Sequence, residues 1–380
     1  MGTAPTGGDE MLFAVFAGVS VEREWRGSVR SNCGAVPYRN AWLTKPKSRE
    51  RCGGARPRDV LELDSSTKPT PSIDIGDPHA STQWESHTKD AMPTLTPVHF
   101  FSHGSTMMLG EQSESADYWK KCGDEALKNG VKGVIMMGAH WDAAGDRIEV
   151  ATNPNPAKSP VAYVHPSKYQ DYKLNPDLET AERCISMLAN DGFNVGPNPS
   201  FDWIHDTYLI LIRMFPDGCP PTTIVSMNAR FEPHFHMKVG SALRPLREEG
   251  YLLIGTGGAV HNLYRNRWEP MLKYSDNFAQ ETPPEDWALE FRQAVQDVIS
   301  NNSGPSLRRG MTRLMKHPQY RQAHATDDHF MAAMFVAGAA GDEDDIGTYG
   351  RLEAETWELT NMCNSQFTIG HFGQTVPSAA

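Results

Sequence analysis

Three histidines in this chain share one local context. His103 lies in Ser102-His103-Gly104-Ser105, two residues after the apolar run Val98-His99-Phe100-Phe101. His140 lies in Gly138-Ala139-His140-Trp141-Asp142, just after Val134-Ile135-Met136-Met137. His261 lies in Gly258-Ala259-Val260-His261-Asn262, beyond Tyr251-Leu252-Leu253-Ile254 and a glycine-rich turn. A neutral imidazole offers a lone pair to a divalent metal, and it suits zinc, iron, copper and nickel. One histidine after a strand is ordinary, but three delivered to one crevice make a metal site. His205, in Asp202-Trp203-Ile204-His205-Asp206, and His329, in Asp327-Asp328-His329-Phe330, each begin an apolar helical stretch, where a neutral histidine also serves as a cap. His234-x-His236 has the spacing of a ligand pair on a strand, but Pro233 before it and the helical pattern after it favour a loop entering a helix.

For the three strand-end histidines to meet, their strands must end on the same side of one sheet. Val98–Phe101, Lys132–Gly138, Thr222–Met227 and Tyr251–Gly255 read as buried strands. Between and after them come helical patterns at Asp117–Asn129, from Asn175-Pro176 to Gly192, at Thr207–Phe215, and at His236–Glu249 with an awkward Pro245. Trp287, Phe291, Val295 and Val298 mark another helix, and Asp328–Ala340 is apolar nearly all round, as a buried helix is. The alternation predicts a single α/β domain over residues 92–372, with a central mixed, largely parallel sheet covered by helices on both faces. In such sheets the binding crevice lies at the carboxyl ends of the strands. Gly255-Thr-Gly257-Gly258 has no following Lys-Ser/Thr, so it is not a phosphate-binding loop.

Charge divides the chain. Residues 1–91 hold twelve basic and twelve acidic side chains, so the net charge of −11 falls wholly on residues 92–380. An acidic body excludes nucleic acid as a partner, because phosphate contacts need clustered cations. The one cationic stretch, Arg39–Arg58, lies outside that body and reads as a solvated tail. Residues 1–91 lack sustained periodicity and read as a poorly structured, irregular N-terminal extension, and residues 373–380 as a C-terminal tail. No apolar run is long enough to span a membrane. The short apolar run Met11–Ala17 follows Asp9 and Glu10 rather than positive charge, which argues against a signal peptide. Six scattered cysteines with no C-x-x-C pair point to reduced thiols and a cytoplasmic protein. No feature of the sequence sets an oligomeric state.

Five phrases, in order from Pro97 to Gly370, carry a resemblance. They are SHGSTMML, GAHWD, DWIHDTY followed by LIRMFP, GTGGAVHNL, and DDHFMAAMFVAGAAG closing near SQFTIG. Together they resemble the class III extradiol ring-cleavage dioxygenases, of the DOPA 4,5-dioxygenase type. The resemblance implies one α/β domain, a catechol and O2 as substrates, and one divalent metal ion: Fe(II) for catalysis, with Zn(II) also found in members of this type. It places His103, His140, His261 and His329 at the metal, with His261 open between ligand and base. His205 is then the catalytic residue handling protons or substrate, and His236, near the pocket, and Ser105, among glycines that let substrate approach the metal, are substrate-binding. Where the family commonly has Asp-His-Gly, this chain has Ile204-His205-Asp206, and the extra anion is expected to raise the pKa of His205. Two readings of other classes stand beside this one, a zinc-dependent hydrolase using the same histidines and a non-catalytic metal-binding protein.

Overall fold

Short apolar runs dictate the sheet. A computed structural model describes residues 94–375, and the extension at 1–91, with Met11–Ala17, Cys33 and Cys52, lies outside them. Six strands form the central sheet: β1 (Val98–Ser102), β2 (Gly133–Gly138), β3 (Thr222–Ile224), β4 (Tyr251–Gly257), β5 (Gly350–Glu358) and β6 (Met362–Ile369). They lie side by side in the order β5-β6-β1-β4-β2-β3. The β1–β4, β4–β2 and β2–β3 pairs are parallel, and β6 runs antiparallel to both β1 and β5. The sheet is therefore mixed and mostly parallel, as the sequence predicts.

Side chains alternate between its two faces. Phe101, Val134, Met136, Leu252 and Ile254 point to one face, where α1 (Glu114–Lys128) and α3 (His205–Met214) bring Trp119, Cys122, Leu209, Ile210 and Met214. Val98, Phe100, Ile135, Met137, Leu253 and Phe367 point to the other. That face is covered by α2 (Leu178–Asn190), α4 (Pro233–Leu243), α5 (Asp286–Asn301) and α6 (Asp328–Ala339). Every residue of α6 from His329 to Ala339 is buried, which explains its apolar circumference.

Some local expectations are corrected. The helix that the sequence starts at Asn175-Pro176 begins at Leu178, capped by Asp177, whose carboxylate accepts the Thr180 N–H at 2.9 Å. Asn175 is held instead by the Thr222 N–H on its carbonyl. The run at 222–227 splits: Thr222–Ile224 stays in the sheet, while Met227–Asn228 pairs in parallel with Asp142–Ala143, just after His140. Helix α4 stops at Leu243, and Pro245 lies in a 3-10 turn, Arg244–Arg247, because proline cannot supply the amide that continues an α-helix. Beyond the expected boundary at 372, Gln374–Thr375 pairs antiparallel with Thr94–Leu95. Among the described residues no helix is long and apolar enough to cross a membrane, and Cys122, Cys184, Cys219 and Cys363 are buried free thiols.

Candidate metal centre

Strand ends and helix starts meet at one edge of the sheet. The His103 amide, just past β1, donates to Gly257 O at the end of β4 (3.0 Å), and Ser102 Oγ accepts the Ala259 N–H (3.0 Å). The His140 amide, just past β2, donates to the Asp206 carboxylate at 2.8 Å. Asp206 follows His205 in the first turn of α3, and its own carbonyl accepts the Thr256 hydroxyl at 2.7 Å. His329 begins α6, whose first turn sits directly on β4: a Cβ at Gly257 would lie 2.0 Å from His329 O. The glycines of the GTGG phrase thus permit close helix–strand contact rather than phosphate binding.

His103, His140 and His329 form a group in which one ring nitrogen from each lies within 4.8 Å of those of the other two. The Nε2 atoms of His103 and His140 face each other across 3.3 Å. Two ligand atoms on a shared tetrahedral ion, each about 2.1 Å from it, stand about that far apart. His329 donates from Nδ1 to Asp328 Oδ1 at 2.9 Å, which leaves its buried Nε2 without a partner. A carboxylate behind an imidazole is the arrangement that fixes tautomer and ring orientation in metal-binding histidines. The three imidazoles and the orphaned nitrogen fit a divalent ion.

Two more histidines flank the three. The His205 ring centroid is 4.4 Å from that of His140 and 5.7 Å from that of His103. His261 lies flat on His329, with centroids 3.7 Å apart and planes 7° from parallel. His261 therefore packs against the group of three and is not one of the residues whose ligand atoms come together. His103 and His329 are buried, whereas His140, His205 and His261 are half-buried. Of the five residues, those last three are the ones that keep some contact with solvent.

The environment keeps His103, His140, His205 and His261 neutral. Loss of water holds His103, His140 and His261 well below the ordinary imidazole value, and neighbouring rings push them further down. His205 is pushed down to about 4, mainly by desolvation and then by His329. Its position in the first turn of α3 acts in the same direction, since a helix N-terminus disfavours a cation. The expectation that Asp206 raises the pKa of His205 is overturned: its carboxylate is turned to the His140 amide, and burial pushes Asp206 itself up to about 6. Asp328 is drawn down despite its burial by the ring and backbone N–H of His329.

His236 and Ser105 are both engaged by hydrogen bonds within the fold. His236 is fully buried, donating from Nδ1 to Glu232 O (2.8 Å) and accepting the Asn228 N–H on Nε2 (3.1 Å). With both nitrogens bonded to backbone, it braces the strand beside the His140 loop and has none left for a ligand. Ser105 Oγ accepts the Met107 N–H and donates to Glu358, so it too is occupied within the fold. The sequence reading missed Asp328 and Glu358. Asp328 was visible as the residue before His329, but nothing local marks a carboxylate as bonded to a ring rather than capping a helix.

Gly257→Ala should move the start of α6 and with it His329. The added methyl has nowhere to go against a backbone carbonyl, so the variant is expected to lose both thermal stability and bound metal. Metal content at parity with wild type would show that α6 can shift without disturbing the three rings.

Comparison with known proteins places the chain in a family. A family model described as the catalytic LigB subunit of aromatic ring-opening dioxygenase matches residues 97–368. The chain is 26% identical over 247 residues to a 4,5-DOPA dioxygenase extradiol of Beta vulgaris, covering 64% of this chain and 86% of the relative. It is 27% identical over 272 residues to one of Portulaca grandiflora, covering 68% and 90%. A crystal structure of an uncharacterized protein from Escherichia coli K12 superimposes with a TM-score of 0.57 at 21% identity, over 72% of this chain and 100% of the other.

Proposed function

Since this chain belongs to the LigB family of extradiol aromatic ring-opening dioxygenases, we propose that it opens a catechol with O2 at a divalent metal held by His103, His140 and His329. The observation that carries the reading is the group of three imidazoles, one nitrogen of each within 4.8 Å of those of the other two, with one ring backed by a carboxylate. A bound Fe(II) would supply the charge that gathers a catecholate and dioxygen into one place. Everything else falls to the protein. Asp328 fixes the His329 ring through Nδ1, so that Nε2 is the free nitrogen. Asp206 anchors the His140 loop through its amide. A catechol must lose a hydroxyl proton as it binds, and His205, neutral and half-buried, is the acceptor. His261 is stacked on His329 beside the group of three. The names of the relatives make DOPA the first catechol to try.

The test is oxygen uptake by Fe(II)-loaded protein over a panel of catechols that includes DOPA, with metal analysis of anaerobically purified protein. A coloured ring-opened product should form with one equivalent of O2 consumed, and none should form anaerobically. Absence of oxygen uptake with every catechol, at full metal loading, would sink the proposal.

A further inference from the structure

Glu358 ends β5, and its side chain is completely buried. Among the described residues no lysine or arginine pairs with it; four hydrogen-bond donors surround it instead. Ser105 gives its backbone N–H to Oε2 at 2.9 Å and its hydroxyl to Oε1 at 2.5 Å. Asn277 Nδ2 donates to Oε1 at 2.7 Å, and Asn364 Nδ2 donates to Oε2 at 2.5 Å. Because Ser105 Oγ already accepts the Met107 N–H, its proton is directed to Glu358. A carboxylate offers about four acceptor sites, and here the protein fills them with donors in place of water. Such an anion is costly to bury unless it is fully bonded.

The donors come from three separate segments. Ser105 belongs to the loop that carries His103, Asn364 to β6, and Asn277 to the stretch that follows His261. The loop presses on the carboxylate: Gly104 has φ +67°, and a Cβ there would lie 2.2 Å from Glu358 Oε2. On the other side, the turn after Glu358 places Leu359 and Thr360 at φ 50° and 68°, a backbone region that residues with side chains seldom occupy. That turn is itself buried and tied down, with the Leu359 N–H on Asn277 O (3.0 Å) and Leu359 O accepting the Arg267 N–H (2.9 Å).

We infer that Glu358 is a positioning residue for the metal centre: its buried carboxylate fixes the Gly104–Ser105 backbone and thereby aims the His103 ring. This rests on the reading of His103 as a metal ligand. A glutamine in its place would keep the volume but turn an NH2 toward donors, so part of the network would become repulsive.

The experiment is a Co(II) titration of the full-length, metal-free chain, followed by visible absorption, for wild type, Glu358→Gln, Ser105→Ala and the double variant. Circular dichroism and thermal melts check folding. Wild type should bind one Co(II). Folded Glu358→Gln should bind it about 10–100-fold more weakly, the cost typical of losing a group that orients a metal ligand. Ser105→Ala should weaken binding less, and the double variant should bind no more weakly than Glu358→Gln, because both act through one loop. Wild-type affinity in folded Glu358→Gln overturns the inference while leaving the metal centre intact. If Glu358→Gln does not fold, Ser105→Ala decides: weakened binding supports the inference, and wild-type affinity overturns it. Failure of wild type to bind Co(II) overturns the metal centre and this inference together.

Discussion

His329→Ala should yield a folded protein with no bound metal and no ring cleavage. Of the three rings, His329 is the one whose orientation is most fully fixed, by Asp328 at Nδ1 and by the His261 ring on its face. Its removal leaves two imidazoles, too few to hold a divalent ion against water. It also leaves the Asp328 carboxylate without its ring partner, which adds a cost in stability. His103→Ala and His140→Ala should behave alike, since their Nε2 atoms face the same point. Elemental analysis of the purified variants checks this, with circular dichroism to establish that they are folded. A wild-type complement of metal in folded His329→Ala would remove it from the ligand set and leave His261, the ring stacked on it, as the replacement to examine.

His205→Ala should do the opposite, keeping the metal and losing turnover by about 10²–10⁴-fold, the usual contribution of a general acid–base group. Its ring is near His140 and His103 but is not one of the three whose nitrogens converge. Burial lowers its pKa to about 4, so it is neutral at pH 7 and able to take a proton. The sign of the pH effect follows. As pH falls, activity that depends on neutral His205 persists below the ordinary imidazole value of about 6.5 and is lost only toward the lowered value. That acidic limb should be missing from the residual activity of His205→Ala. A limb in wild type near 6.5, or metal lost on substitution of His205, would assign the proton to another group.

Much of this centre was legible in the sequence, for a physical reason. β1, β2 and β4 are buried on both faces, so they read as apolar runs, and each passes into small residues before its histidine. Parallel strands in one sheet must bring such ends to one edge. What the pattern does not carry is ring orientation. His261 shares the context of His103 and His140, yet it packs flat on His329, and His236 spends both nitrogens on backbone. The β5–β6 hairpin escaped notice because β6, though buried throughout, holds Asn364, Ser365, Gln366 and Thr368. Their polarity is satisfied by partners far away in sequence: Trp119 Nε1 donates to Gln366, Tyr118 meets Thr368, and Ser115 bonds Asn364 O. Hidden with that hairpin was Glu358, whose importance depends on contacts with Ser105 and Asn277 that no local spacing reveals.

The pairing of Thr94–Leu95 with Gln374–Thr375 has a practical side. It sets these two short strands side by side, ahead of the amino end of β1, while His103 follows its carboxyl end. β1 is five residues long, so roughly 17 Å of strand, at about 3.3 Å per residue, separates that junction from the histidines. A fusion partner or surface tether spliced at either of these strands leaves from the edge of the sheet opposite the cluster of histidines. A short linker joining these two strands would likewise close residues 94–375 into a ring, so that new termini could be cut elsewhere without disturbing the order of the strands.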